Sequence, residues 1–249
     1  MEAEGVAVDV LQTKKKPGQI AAWGHFVGFL GLMAGTAALG FYAQRAGSDS
    51  TASAGQLASH SHAISAYLVA GFMDWALFYY CWAGVHHRGG NLATLSGGRW
   101  TSWRSLATDV AIAVPFFVLW EATAHAVNWV LGPRGAKSVD DLLPRTFLEI
   151  LLWIALSVTA GFCEEIAFRG YLQKQFHALS GNVAAAVIAQ ALVFGLAHAY
   201  QGWKATIVIS VLGVLYGALA AWRRNLRSSM MAHAGSDIWE GWLKTVVWR

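Results

Sequence analysis

Residues Thr146–Thr159 read TFLEILLWIALSVT and run almost directly into Gly161-Phe-Cys-Glu164-Glu165-Ile-Ala-Phe-Arg169-Gly170. The first stretch suits a membrane interior. The second sets two adjacent carboxylates and a guanidinium into the same apolar helix. A charge in hydrocarbon costs at least about 2.5–3.5 kcal/mol, so three together require a reason. On a helix Glu165 and Arg169 lie four residues apart on one face and can neutralise each other. Glu164 points about 100° away from that pair. The spacing therefore gives one structural ion pair and one carboxylate left over. The blander alternative is a helix end dipping into the headgroups.

The rest of the chain supports a membrane setting. Of its 249 residues, 56% are hydrophobic and 13% charged, and mean hydropathy is +0.42. A soluble domain carries about 25% charge, so the sequence reads as an all-α, polytopic transmembrane helical bundle. Its 13 Trp residues suit the headgroup level, where indole rings gather. The net charge of +4 is scattered between apolar spans, which fits membrane loops better than nucleic acid. Cys81 and Cys163 both fall in apolar spans, as small hydrophobes rather than as a disulfide or a cysteine metal site. No linker or repeat divides the chain into separate folding units. One structural domain is expected, with a polar segment at residues 1–19, amino-terminal spans at 20–145 and a carboxy-terminal transmembrane region at 146–249.

Seven spans are expected, or eight if the last segment or the Gly89–Leu106 loop divides. They are Ile20–Ala43, Ala63–Val85, Thr108–Leu131, Thr146–Leu179, Val183–Tyr200, Lys204–Trp222 and Ser228–Val247. Lys14-Lys15-Lys16-Pro17 precedes the first, Gln44–His62 reads as a polar loop, and Ser180-Gly181-Asn182 is a turn signal. An amino terminus inside the cell places the basic clusters after spans two and six inside as well. The compact chain, with no organellar targeting segment, points to a prokaryotic plasma membrane.

Depth then brings polar residues together. Glu164 lies 17 residues before Gly181 and His198 lies 17 after it. In an antiparallel hairpin both sit about 25 Å from the turn and can face each other. His233 and Asp237 are one turn apart on the last helix and can share a face. His233 follows the Arg223-Arg224 turn too closely to reach the depth of His198 on a straight helix, so a tilt or an irregular start must supply the difference. One carboxylate, two histidines and a second acid in a membrane cavity suit hydrolysis of an acyl bond. Glu164 beside a histidine can serve as general base on water. Glu164, His198, His233 and Asp237 can either bind Zn²⁺ or supply hydrogen bonds to an oxyanion. No Gly-x-Ser-x-Gly motif supports a serine triad.

Glu164-Glu165-x-x-x-Arg169, Phe194-x-x-x-His198 and His233-x-x-x-Asp237, in that order within apolar spans, resemble the three motifs of the CPBP family. These are the CaaX proteases and bacteriocin-processing proteins, also called the Abi family, and the resemblance covers Thr146–Leu243. It implies an intramembrane endopeptidase, metallo- or glutamate-type, acting on a peptide or protein substrate that is prenylated or membrane-bound. By resemblance Glu164 activates water with help from His198, His233 and Asp237 hold a metal or the oxyanion, and Glu165 and Arg169 brace the site. The family's third motif commonly has Asn where this chain has Asp237.

Other polar residues admit plainer readings. Glu121 and His125 on the third span either touch the site or form a buried hydrogen-bonded pair. Asp74 either bonds a neighbouring helix or acts. His25, His60, His62, His86 and His87 read as ordinary interfacial residues, and the Phe116-Phe117 and Tyr79-Tyr80 pairs as packing or lipid-facing. Two other classes of function were weighed: a non-catalytic membrane scaffold or transporter with a buried charge path, and a b-type cytochrome using paired histidines.

Overall fold

The computed structural model describes residues 18–49, 60–132 and 142–243. Its helices are α1 (Trp23–Asp49), α2 (His60–His86), the short α3 (Leu92–Ser96), α4 (Trp103–Leu131) and α5 (Phe147–Glu164). A π-helical segment, Glu165–Leu172, joins α5 to α6 (Gln173–Ser180), and α7 (Val183–Ala197) follows. A 3-10 turn at Ala199–Gln201, α8 (Trp203–Arg223), α9 (Arg227–Ile238) and a π turn at Trp239–Leu243 complete the chain. There is no strand among the described residues. The chain is a helical bundle, as its composition requires.

Five stretches are long and apolar enough to cross a membrane: Trp23–Tyr42, Ala63–His86, Trp103–Leu131, Phe147–Ser180 and Trp203–Arg223. The other two expected spans are shorter. Helix α7 is apolar but has 15 residues, and α9 has 12. At 1.5 Å per residue these reach only about 22 and 18 Å, less than a 30 Å hydrocarbon core. Large apolar side chains such as Trp129, Val130, Val118 and Phe147 face outward, where lipid would cover them.

Helix ends follow local chemistry. The Ser102 hydroxyl accepts from the Ser105 N–H and starts α4 at Trp103, five residues before the expected Thr108. Thr146 and Glu149 form the same kind of box at the start of α5. Gly181, at φ 69°, ends α6 at the expected turn. Helix α1 runs past Ala43 to Asp49 and α2 begins at His60, so both helices extend into the expected Gln44–His62 loop. The expected polar amino-terminal segment with its lysine stop, most of the Gly132–Arg145 connection, the side chains of His60 and His62, and the last six residues lie outside the described residues.

Helix α7 packs along α8, α2 along α5, and α9 between α4 and α5. The buried centre lies on the π segment, where Ile166, Ala167, Tyr171 and Leu172 are fully enclosed. Part of the expected Gly89–Leu106 interfacial loop folds inward as α3. Lys174 Nζ donates to the Thr94 and Leu95 carbonyls at 2.6 and 2.9 Å, and the Leu226 N–H donates to Ser96 O at 2.9 Å. Close by, buried Asp109 accepts from Arg223 Nη2, Arg227 Nε, Ser228 Oγ and Trp100 Nε1 at 3.0, 2.7, 2.8 and 3.0 Å. This carboxylate binds α4 to the turn between α8 and α9.

Candidate active site

Glu164 is the last residue of α5, and Glu165 opens the π segment. The wider i→i+5 turns of such a segment change which side chains share a face. Glu165 and Arg169 still meet as the i, i+4 spacing requires, with Arg169 Nη1 2.8 Å from Glu165 Oε1 and both side chains fully buried. Arg169 also stacks its guanidinium between the rings of Phe194 (4.3 Å) and Tyr216 (5.1 Å). Glu164 stands apart from that pair and is 16% exposed.

The equal-depth expectation holds, with His198 Nε2 4.0 Å from Glu164 Oε1. His198 ends α7 and its Nδ1 lies 2.9 Å from Phe194 O. A carbonyl only accepts, so Nδ1 carries the proton and Nε2 faces the carboxylate. Phe194 also packs its ring against His198 (4.8 Å) and His233 (6.1 Å). The Phe-x-x-x-His motif is thus a helix turn whose aromatic supports two histidines and an arginine.

His233 reaches the same place despite its short run of helix. Arg224 takes a left-handed conformation, and Leu226 just beyond it already packs on the π segment at Gly170 before α9 begins. Leu226 Cδ1 would lie 3.2 Å from a Cβ at Gly170. The irregular start, rather than a long helix, supplies the depth. His233 Nε2 then lies 3.7 Å from both Glu164 Oε2 and Asp237 Oδ2, and Nδ1 lies 3.2 Å from Glu165 Oε1.

Several supporting groups have no signal in the sequence. Tyr216 stacks on His233 at 5.1 Å and its hydroxyl meets Ser236 Oγ at 3.0 Å. Ser236 Oγ in turn donates to His233 O at 2.8 Å, and Trp153 Nε1 donates to Asp237 O at 2.9 Å. At Gly161 a Cβ would stand 2.8 Å from the Ala234 nitrogen, so only glycine lets α5 and α9 approach this closely. Asp74 on α2 belongs to the same electrostatic cluster, facing the charges of Glu164, His233 and Asp237. As a single acid inside an apolar run on α2, it gave no means of choosing between its two readings.

The remaining candidates lie elsewhere. Glu121 and His125 pair along α4 at 3.5 Å, but the His125 side chain is 71% exposed, so the pair is not the buried one expected. His25, at the start of α1, does more than lie at a span end: its Nδ1 meets Tyr171 Oη at 2.8 Å and its Nε2 meets Tyr80 O at 2.9 Å, tying α1 and α2 to the π segment. His86 and His87 are exposed at the end of α2, as expected. Both cysteines are free and buried.

Two imidazole nitrogens and two carboxylates are a donor set of the zinc kind. Among the described residues, however, no three His, Cys, Asp or Glu side chains are disposed to hold a metal ion. In this arrangement Glu164 stands 4.0 Å from His198, and His233 stands 3.7 Å from both Glu164 and Asp237. A carboxylate thus lies between two imidazoles, with Glu164 Oε2 buried and lacking a hydrogen-bond partner in the protein.

Residues 146–239 match the family model described as type II CAAX prenyl endopeptidase Rce1-like. The matched region contains Glu164, Glu165, Arg169, His198, His233 and Asp237, and supports assignment of the chain to the CPBP/CAAX protease family. No curated protein and no solved structure gives a match. Together with the five stretches long and apolar enough to cross a membrane, the match supports a multi-pass integral membrane protein.

Proposed function

We propose that this chain is an intramembrane endopeptidase in which Glu164 activates water for attack on a peptide bond. The observation that carries the reading is the setting of Glu164. Its oxygens lie 4.0 and 3.7 Å from the Nε2 atoms of His198 and His233, and Oε2 is buried without a hydrogen-bond partner. Those separations are too long for direct hydrogen bonds and suit a bridging water.

Glu164 takes a proton as the water oxygen bonds to the scissile carbonyl carbon. His198, its Nδ1 proton committed to Phe194 O, orients that water through Nε2. The carbonyl oxygen becomes an oxyanion, and His233 in its imidazolium form donates to it from Nε2 while Nδ1 donates to Glu165. Glu164 then returns the proton to the amide nitrogen, the C–N bond breaks, and a carboxylate and an amine are released. Asp237 steers His233 from its other side, and Glu165 and Arg169 hold the π segment in register. The substrate class is a peptide presented at the bilayer with a prenylated CAAX end. The membrane is of the prokaryotic plasma type.

The test compares detergent-purified wild type with Glu164→Gln and His198→Ala on a farnesylated CAAX peptide and its unmodified twin. Cleavage is read by mass spectrometry beside zinc content. Wild type should release the terminal tripeptide and both variants should not. Undiminished cleavage by Glu164→Gln would remove Glu164 as the base. One zinc per chain, lost with activity in His198→Ala, would establish the metal version instead.

A further inference from the structure

Where α6 turns into α7 and α8 into α9, a cavity of about 470 Å³ opens between the helices. Arg169, Lys174, His177 and Arg224 line it with Gln173 and Asn225, and no Asp or Glu is among the described residues that do. Arg169 is 1% exposed, and its Nε and Nη2 have no hydrogen-bond partner in the protein. Buried donors left unmade are costly, the more so on a cation. Lys174 spends two donors on the α3 carbonyls and has a third to give. Arg224 is exposed at the rim.

We propose that this cavity binds a phosphate group, that of an anionic phospholipid. Arg169 keeps Glu165 as its partner on the far side, but guanidinium and ammonium groups that converge on a space whose own lining carries no acid suit a phosphate. The volume lies within the range of small-ligand sites. The cavity opens where two membrane-length stretches end, Phe147–Ser180 at His177 and Trp203–Arg223 at Ala220, Ala221 and the following Arg224, the level at which headgroups lie, and it runs inward along the helix to Arg169. Val183 and Trp222 expose apolar surface beside it, against which acyl chains would run. The site does not depend on the chain being a peptidase, and its test does not read activity.

The chain is purified in phosphate-free maltoside detergent, and its melting temperature is measured with phosphatidylglycerol, with digalactosyldiacylglycerol and with inorganic phosphate. Phosphatidylglycerol should raise it by several degrees and the phosphate-free galactolipid should not. Arg224→Asn, which tolerates the left-handed backbone, should lose the shift, and Arg224→Lys should keep it. His177→Gln takes the same measurement should Arg224→Asn fail to purify monodisperse. A shift from inorganic phosphate, lost in Arg224→Asn and not exceeded by the lipid, upholds the phosphate site and overturns the lipid as its source. Equal shifts from both lipids, or a phosphatidylglycerol shift that survives in Arg224→Asn and His177→Gln, overturn the proposal.

Discussion

His233 Nδ1 lies 3.2 Å from Glu165 Oε1, so the carboxylate that neutralises Arg169 also fixes the histidine facing Glu164. The two adjacent glutamates therefore do different work. One holds an arginine and a histidine in place, and the other is left free beside two imidazoles. Breaking one member of a buried pair leaves an uncompensated charge and costs about 3–5 kcal/mol, whereas removing both can be nearly neutral. Glu165→Gln and Arg169→Met should each lower the melting temperature strongly in detergent. The double variant should recover part of that loss and still be inactive, because a neutral amide replaces the carboxylate that accepts from His233. Additive losses in the double variant would show that the pair is not coupled.

Glu164 makes no such bond. Glu164→Gln should leave the melting temperature close to wild type while kcat falls by about 10²–10⁴, the range for loss of a general base. KM should change little, since the amide keeps the shape of the carboxylate. Equal falls in activity and stability would mean that Glu164 is structural.

Much of this division was legible in the residues. The spacing of Glu165 and Arg169 announced the ion pair, and the symmetric distances of Glu164 and His198 from Gly181 announced their meeting. Both rest on regular helix geometry, which sequence spacing reports directly. What stayed hidden depends on tertiary packing. No local pattern distinguishes the π segment at Glu165–Leu172 from an ordinary helix. The packing of Leu226 on Gly170, which delivers His233, follows from how α3 and Asp109 seat the turn. Asp74 reaches the cluster only because α2 happens to pack that face on α5, and the Tyr216 ring reaches His233 only through the packing of α8 against α9.

Asp109 tests the importance of that turn. It is fully buried and accepts from two arginines, a serine and an indole on three segments. Asp109→Ala strands both guanidinium partners, and the expected cost is at least about 3 kcal/mol. Because the network seats α9, activity should fall with stability, and Asp109→Asn, keeping some hydrogen bonds, should lie between. A melting temperature within a degree of wild type for Asp109→Ala would show that the turn is held by packing alone.

Gly161 offers the sharpest test that the approach of α5 and α9 builds the site. A Cβ there would stand 2.8 Å from the Ala234 nitrogen and 3.0 Å from Met230 O, both backbone atoms that cannot rotate away. Gly161→Ala must therefore push α9 outward by a few tenths of an ångström, at a cost of about 1–3 kcal/mol for an overpacked contact. The displaced helix carries His233 and Asp237, whereas Glu164 and His198 sit on other elements. Activity should drop by far more than the stability loss explains, since small misplacements of catalytic groups can cost about 10²-fold. Gly235, where a Cβ would meet nothing within 4 Å, is the control on the same helix. Gly235→Ala should leave both the melting temperature and kcat near wild type. If Gly161→Ala melts lower yet cleaves at the wild-type rate, the distance between α5 and α9 does not set the geometry of Glu164 and His233.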